Sequence, residues 1–337
     1  MPTASGEDDD DADDDDTDAP LFRTTSQSVR VNRKPDDSRL VERALMTRSN
    51  LPYKCGVVWF YHIPSTGGAS INAWFRKYKK PKLGNITYYQ GWETAVKKDG
   101  SFHRGPDHVE KKFQAGMQEH ISNLGPSEWR IAHSHIVDMY LNESEDILNG
   151  WRRDVEAQGC ELINTIMIRD PLSHSMSLHK IIKQKNSNRT EWLEYLSSPT
   201  GMGKWATILD FFLYNNQGRR TRPGYPTEGG RNPFNVTKEE KVRRGMELLA
   251  RHFDLVTVGN HKVFQERLLS MTGWLHSDIP HTNVFKGQLD FTKKEVEHMQ
   301  KVLKANGDTD FVYEAEKKYS NAPWCRYAGR RNQTDSI

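Results

Sequence analysis

A turn rich in small residues, lying between a strand pattern and a helix pattern, constrains the fold of this chain more than any other feature. The run GVVWFYHI (56–63) is typical of a buried strand, and SINAWFRKY (70–78) is compatible with a helix. The turn PSTGGAS (64–70) directs several backbone N–H groups and the helix dipole at one point, where an anion is stabilised. Glycine also serves purely conformational needs in such turns, so the loop by itself predicts either a phosphate site or an ordinary turn.

Strand-like runs alternate with helical patterns over much of the remaining sequence. Further strand patterns cover residues 129–135, 162–169 and 253–258, helical patterns begin at Gly68 and Pro171, and another helical pattern covers 261–271. The segment 291–319 is predicted to form two helices joined at Asn306-Gly307. Short strands separated by helices predict an α/β domain of three layers, α/β/α, around a central parallel sheet.

A basic loop interrupts the mostly helical pattern of residues 186–250. This loop, RRTRPGYPTEGGRNP (219–233), is long and rich in glycine and proline. It suits a lid that faces a substrate as well as a plain surface excursion.

The charge of the chain is divided unevenly along its length. Residues 1–18 hold ten acidic side chains and no lysine or arginine, and they have nothing apolar to bury. The other 35 acidic residues face 48 basic ones, a net charge of +13. We therefore predict a disordered acidic tail over 1–50, a basic domain over 51–328 and a short C-terminal tail over 329–337. A basic domain suits polyanionic partners such as nucleotides, acidic sugars or nucleic acid, and ordinary solvated lysines explain the charge equally well.

Targeting signals and cysteines do not decide between the cytosol and a secretory lumen. The sequence has no run of about 18 apolar residues and no signal segment, which predicts a chain without a membrane span. Five Asn-x-Ser/Thr sequons, which matter only in a secretory lumen, begin at Asn85, Asn142, Asn188, Asn235 and Asn332. The cysteines Cys55, Cys160 and Cys325 are too few for a disulfide framework or a zinc site, and at most one bridge is possible.

A second motif lies about a hundred residues after the first. In INTIMIRDPLSHSMSLHKII (163–182) a buried strand brings Arg169 to its carboxyl end, Pro171 begins a helix, and Ser177 lies two turns along it. Ligands of open α/β sheets bind beyond the carboxyl ends of the strands, so Arg169 and Ser177 are candidates for a second phosphate. The alternative is that Arg169 pairs with Asp170 or another carboxylate.

Together the two motifs resemble sulfotransferases that use 3′-phosphoadenosine-5′-phosphosulfate, especially the carbohydrate enzymes of the Golgi. HIPSTGGAS (62–70) is similar to their HxPKTGGTS phosphosulfate loop, and the spacing from Arg169 to Ser177 matches their R-[DN]-P-x5-S motif for the 3′-phosphate. The resemblance covers roughly residues 54–320 and implies a P-loop-kinase-like sulfotransferase fold. The implied nucleotide-binding residues are Ser65, Thr66, Gly67, Gly68, Ala69, Ser70, Arg169, Ser177 and Asn283.

A His-x-His segment supplies the candidate base. In IAHSHIVDMYL (131–141) the side chains of His133 and His135 share one face of an extended chain. The segment is similar to the His-x-His of the uronosyl 2-O-sulfotransferases, where a histidine deprotonates the acceptor hydroxyl. By position, His135 is the first candidate and His133 the second. Zinc binding and a structural histidine at a strand end are the alternatives.

The loop departs from the family pattern at Ser65, where the resemblance implies a lysine. A serine brings no charge, and losing a charged donor costs about 3 kcal/mol of transition-state stabilisation. Three explanations are open. Another cation, such as Arg76, Lys77 or a residue of 219–233, supplies the charge; His62 takes the place of the lysine; or the protein binds the nucleotide without efficient transfer. A smaller departure is His174, which stands where the family has a basic residue.

The resemblance thus implies transfer of a sulfuryl group from the phosphosulfate donor to a hydroxyl-bearing acceptor, a glycan. The resemblance and the sequons favour the Golgi lumen, and we expect no metal, no nucleic acid partner and no membrane span. Two alternatives remain: a sulfotransferase-like protein that binds nucleotide without efficient transfer, and a nucleotide kinase of related fold. The absence of Gly-Lys-Ser/Thr from the loop argues against the kinase.

Overall fold

Five strands, nine α-helices and a short 3₁₀-helix (Pro81–Leu83) lie in the part of the chain that the computed structural model describes. This part covers residues 51–84, 86–91, 106–135, 139, 141, 144–183, 207–214, 236–280 and 291–319. The strands are β1 (Gly56–His62), β2 (Thr87–Gln90), β3 (Trp129–His135), β4 (Glu161–Ile168) and β5 (Leu255–Val258). The helices are α1 (Gly68–Lys77), α2 (Pro106–Ser122), α3 (Glu145–Glu156), α4 (Pro171–Lys183), α5 (Ile208–Tyr214), α6 (Lys238–His252), α7 (His261–Thr272), α8 (Lys293–Asn306) and α9 (Asp308–Tyr319).

The five strands form one parallel sheet in the order β2-β3-β1-β4-β5. Its central strand, β1, is buried on both faces, which explains the unbroken apolar run in its sequence. In register, His62 lies beside His135 of β3, and Gly56 lies beside Glu161 of β4. Strands far apart in sequence are therefore neighbours at both ends of β1.

The two faces of β1 belong to separate hydrophobic clusters. Val57, Trp59 and Tyr61 pack with side chains of helices that include α2, α3, α6 and α9, whereas Val58 and Phe60 pack with α1 and α7. Helices thus cover both faces of the sheet, and the predicted α/β fold with a central parallel sheet is confirmed.

Most element boundaries agree with the sequence patterns, but three elements were not predicted. β1, α1 and β3 match their patterns, and β4 ends one residue earlier than expected. The sequence analysis missed β2, α2 and α3. Thr87–Gln90 is short and partly exposed at the edge of the sheet, so it lacks the apolar run that marked the other strands.

A disulfide joins Cys55 to Cys160 at the amino end of the sheet. The two cysteines precede the neighbouring strands β1 and β4, and the Glu161 N–H donates to the Cys55 carbonyl at 3.1 Å. The structure thus contains one bridge, the most that the sequence analysis allowed. Cys325 and the five sequon asparagines lie outside the described residues.

Helices capable of crossing a membrane are not found among the described residues.

Candidate functional site

The loop between β1 and α1 leaves a set of backbone N–H groups open. Ser65 and Gly67 have φ values of 62° and 96°, and Gly67 caps α1 without a side chain. Within the described residues, no acceptor is found for the backbone N–H of Ser65, Gly67, Gly68 or Ala69. The first turn of α1 also carries no acidic side chain. An anion at this point would meet unpaired donors and the positive end of the helix dipole.

Side chains from three different places hold the carbonyl groups of this loop. The Arg169 guanidinium donates from Nη1 to the Ser65 carbonyl at 3.1 Å. His174 of α4 lies with Nε2 2.9 Å from the Pro64 carbonyl, and His261 of α7 lies with Nε2 3.3 Å from the Gly67 carbonyl. A carbonyl only accepts, so the bonding nitrogen of each imidazole carries a proton. The peptide planes of the loop are therefore fixed from outside it.

The hydroxyl groups of the loop differ in their partners. The Thr66 hydroxyl donates to the Ile63 carbonyl at 2.7 Å and is buried, so it braces the loop. The Ser65 Oγ is buried and has no hydrogen-bond partner among the described residues. Ser65 adopts a left-handed conformation, which is uncommon for residues other than glycine.

Arg169 lies at the carboxyl end of β4 and, like His174, links the two sequence motifs. The neighbouring Asp170 accepts the Ser173 N–H at 2.7 Å and so caps α4. Burial lowers the pKa of Arg169, and the charge of Asp170 opposes that effect. Ser177 lies partly exposed on α4. A cleft of about 520 Å³ opens beside these residues, and its lining includes Asp170, Asn260 and His261.

Three histidines form a cluster at the carboxyl ends of β1 and β3. The ring of His62 lies 4.9 Å from that of His135 and 5.3 Å from that of His133, measured between centroids. Burial lowers the pKa of His135 to about 4 and that of His133 to about 3, the latter with smaller effects from His135 and Arg76. Burial, followed by the two other histidines, also lowers the pKa of His62. All three imidazoles are therefore neutral at pH 7.

The two candidate bases differ in access. His133 is 4% exposed, whereas His135 is the last residue of β3 and is partly exposed. A neutral imidazole at the open end of the cluster is able to take a proton from a bound hydroxyl, and a nearby anion would raise its pKa. Of the two, His135 is thus the more accessible and His133 is buried.

His62 joins the cluster to the loop. A β-carbon added to Gly68 would lie 2.1 Å from the His62 ring, so the imidazole lies directly on the first residue of α1. The sequence analysis named His62 only as a substitute for the missing lysine and did not foresee its contact with the other two histidines. The contacts of His174 and His261 with the loop were missed as well, although both residues lie near the starts of helices that follow parallel strands.

The side chains proposed to replace the charge of the missing lysine lie in different places. Arg76 donates from Nη2 to the Gln90 Oε1 at 2.8 Å, near β2, and Lys77 donates to the Asp278 carbonyl at 2.6 Å. Of the named candidates, His62 is the side chain that lies against the loop. The loop 219–233 and Asn283 lie outside the described residues.

Within the described ranges, no group of three or more His, Cys, Asp or Glu side chains is arranged to hold a metal ion. Comparison with known proteins found no matching family model, no matching curated protein and no matching solved structure.

Proposed function

We propose that this protein transfers a sulfuryl group from 3′-phosphoadenosine-5′-phosphosulfate to the hydroxyl of an acceptor, a glycan. The observation that carries the proposal is the 3.1 Å contact between Arg169 and the Ser65 carbonyl, because it joins the two phosphate motifs into one site. The open N–H groups beside it suit the 5′-phosphosulfate, and Arg169 with Ser177 suits the 3′-phosphate.

In this proposal the residues of the chain position and polarise the reactants. The loop N–H groups and Arg169 hold the donor, while His135 accepts the proton of the acceptor hydroxyl. The acceptor oxygen then bonds to sulfur as the bond from sulfur to the phosphate oxygen breaks. Loop donors fixed by His174 and His261 stabilise the charge that develops on that oxygen without reorganising.

The disulfide supports a secretory compartment for this activity. Disulfides persist in oxidising compartments and are rare in the cytosol, and Cys55 and Cys160 are both buried. Together with the sequons, this favours the Golgi lumen, where glycans are available as acceptors.

A second candidate function is nucleotide binding without efficient transfer. It is favoured by Ser65, whose buried hydroxyl supplies no charge where the resemblance implies a lysine. Ser65→Lys separates the two functions. If the missing charge has only weakened the loop, the new lysine should raise the transfer rate. If another cation already supplies that charge, repulsion between the two cations should lower the rate. If Ser65→Lys left both the rate and nucleotide binding unaltered, position 65 would have no part in transfer.

Calorimetry with two nucleotides tests the donor site. We expect 3′,5′-phosphoadenosine to bind much more tightly than 5′-AMP, and Arg169→Ala to abolish that preference. Arg251→Ala is the matched control, since it removes one positive charge from an exposed ion pair with Glu145 on the surface. Equal affinities of the native protein for both nucleotides would rule out the assigned 3′-phosphate site.

Transfer itself is tested with radiolabelled donor against glycans and small hydroxyl compounds. His135→Ala should lower turnover by about 10²-fold while the affinity for 3′,5′-phosphoadenosine stays nearly unchanged. An unchanged rate would show that His135 is structural.

A further inference from the structure

Arg76, near the end of α1, fixes the orientation of two amide side chains. Its Nε donates to the Asn72 Oδ1 at 3.2 Å, and its Nη2 donates to the Gln90 Oε1 at 2.8 Å. A guanidinium has no acceptor atom, so both contacted atoms must be carbonyl oxygens. The assignment of both amides therefore follows from the chemistry of Arg76.

These two oxygens decide where the proton of Tyr88 lies. The Tyr88 hydroxyl is 2.5 Å from the Asn72 Oδ1 and 3.2 Å from the Gln90 Oε1. It has one proton, which it donates to one of these acceptors, and its oxygen then accepts from a third group. That group is His133, whose Nδ1 lies 3.0 Å from the hydroxyl oxygen. The bond forms when Nδ1 carries the proton.

A neutral His133 with its proton on Nδ1 has a lone pair on Nε2. This nitrogen is buried and has no hydrogen-bond partner among the described residues. The ring packs 5.3 Å from His62 and 5.4 Å from Phe60, measured between centroids, so this buried nitrogen belongs to a ring enclosed by other aromatic rings. A buried acceptor without a donor is costly, and such atoms concentrate where a function uses them.

We propose that Arg76, Asn72 and Tyr88 are positioning residues that hold His133 with an unprotonated Nε2, so that the histidine cluster around His62 contains a lone pair and not a further N–H dipole when positive charge forms on His135. The idea rests on the proposed function. When the acceptor O–H bond breaks and an N–H bond forms on His135, His133 keeps its own proton on Nδ1. In the opposite tautomer, Nε2 would carry a proton and the cluster would offer the new charge no lone pair there.

Nitrogen NMR of the whole chain, labelled with ¹⁵N-histidine and free of ligands at pH 7, tests the tautomer directly. The His133 signals are identified by their loss in His133→Gln. We expect Nδ1 to be protonated in the native protein and the tautomers to mix or reverse in Tyr88→Phe. Tyr89→Phe is the matched control, because the Tyr89 hydroxyl donates to the Lys112 carbonyl at 3.4 Å instead, and it should leave the tautomer unchanged.

If the His133 proton lies on Nε2 in the native protein, the proposal is overturned. This measurement is made on the native protein, so it does not depend on the folding of any variant. An unchanged tautomer in folded Tyr88→Phe would overturn the role of Tyr88. In the transfer assay, Tyr88→Phe should lower kcat by about 10-fold with little change in 3′,5′-phosphoadenosine affinity. Absence of transfer by the native protein would instead refute the proposed function, and the NMR result would still decide the tautomer.

Discussion

At both ends of the sheet, residues of adjacent strands meet, but the contacts at the two ends differ in kind. At the carboxyl end, His62 lies 4.9 Å from His135 across the pair β1 and β3. At the amino end, about 20 Å away along β1, Cys55 is bonded to Cys160 across the pair β1 and β4. Each pair comes from distant parts of the chain that meet because β1 lies between β3 and β4.

The polar side chains at the two ends differ in kind. Near the amino end, the Glu128 carboxylate accepts from Arg130 and from the Gly125 N–H. Near the carboxyl end, the His62 Nδ1, the His133 Nε2 and the Ser65 Oγ are buried without a partner among the described residues. Besides the cleft at Asp170 and His261, a cleft of about 680 Å³ lies at the amino end, lined in part by Trp129 and Trp274. Buried polar atoms without a described partner are not confined to the carboxyl end, since Trp274 Nε1 beside the amino-end cleft is another. What sets the carboxyl end apart is the cluster of three histidines, at the end where α/β proteins bind ligands.

Removing the disulfide should have the largest effect and should affect stability alone. The bridge closes a loop of more than 100 residues, so replacing both Cys55 and Cys160 by alanine should lower the free energy of unfolding by about 4–5 kcal/mol. Urea denaturation measures this change. The affinity of the remaining folded protein for 3′,5′-phosphoadenosine should stay within about 2-fold. A large loss of affinity with unchanged stability would contradict the separation of the two ends.

Acid should destabilise the fold, in part through buried histidines at the carboxyl end. Burial lowers the pKa of His133 to about 3 and of His174 to about 4, below the 6.5 of an unfolded histidine. Below pH 6.5 the unfolded chain binds more protons than the folded one, so stability is present above that pH and is lost as the pH falls. Between pH 7 and pH 5 each of the two histidines should cost about 2 kcal/mol of unfolding free energy.

His174→Gln provides the control for this effect. Glutamine can donate to the Pro64 carbonyl but does not titrate, so the variant should lose about 2 kcal/mol less between pH 7 and pH 5. Urea denaturation at the two pH values measures the difference. A native protein whose unfolding free energy is flat over this range would show that these histidines do not control acid stability.

Filling the space at Gly68 should damage ligand binding more than stability. An added β-carbon would lie 2.1 Å from the His62 ring, so Gly68→Ala must displace the imidazole or the start of α1. We expect the affinity for 3′,5′-phosphoadenosine to fall by about 10²-fold, measured by calorimetry. In Gly150→Ala the new carbon lies 3.9 Å from its nearest neighbour, Arg153, so this control should stabilise α3 by about 0.5–1 kcal/mol without changing affinity. Equal affinities of the two variants would contradict the placement of the site.

The smallest expected effect concerns Thr66. Thr66→Val removes the hydroxyl that donates to the Ile63 carbonyl at 2.7 Å and should lower the free energy of unfolding by about 1 kcal/mol. Affinity for 3′,5′-phosphoadenosine should fall only a few-fold, since the hydroxyl is directed into the loop. A loss as large as that of Gly68→Ala would mean that Thr66 contacts the ligand.

Local sequence determined the elements that carry the site. The apolar run of β1, the glycines after it and the proline that begins α4 each act over a few residues, so they predicted the strand, the turn and the helix within about one residue. The position of Arg169 at the end of β4 followed from the same pattern. Thr87–Gln90 was missed because an exposed edge strand needs no apolar run.

Tertiary structure decided which of these residues meet. No local pattern fixes the strand order, yet that order places His62 beside His135, 73 residues away, and Cys55 beside Cys160, 105 residues away. It also brings Arg169 to the Ser65 carbonyl. The proton of His133 is assigned only by a chain of contacts that starts at Arg76. Such contacts depend on the packing of several elements at once, because hydrogen bonds are set by distances between groups that the chain brings together only when it folds.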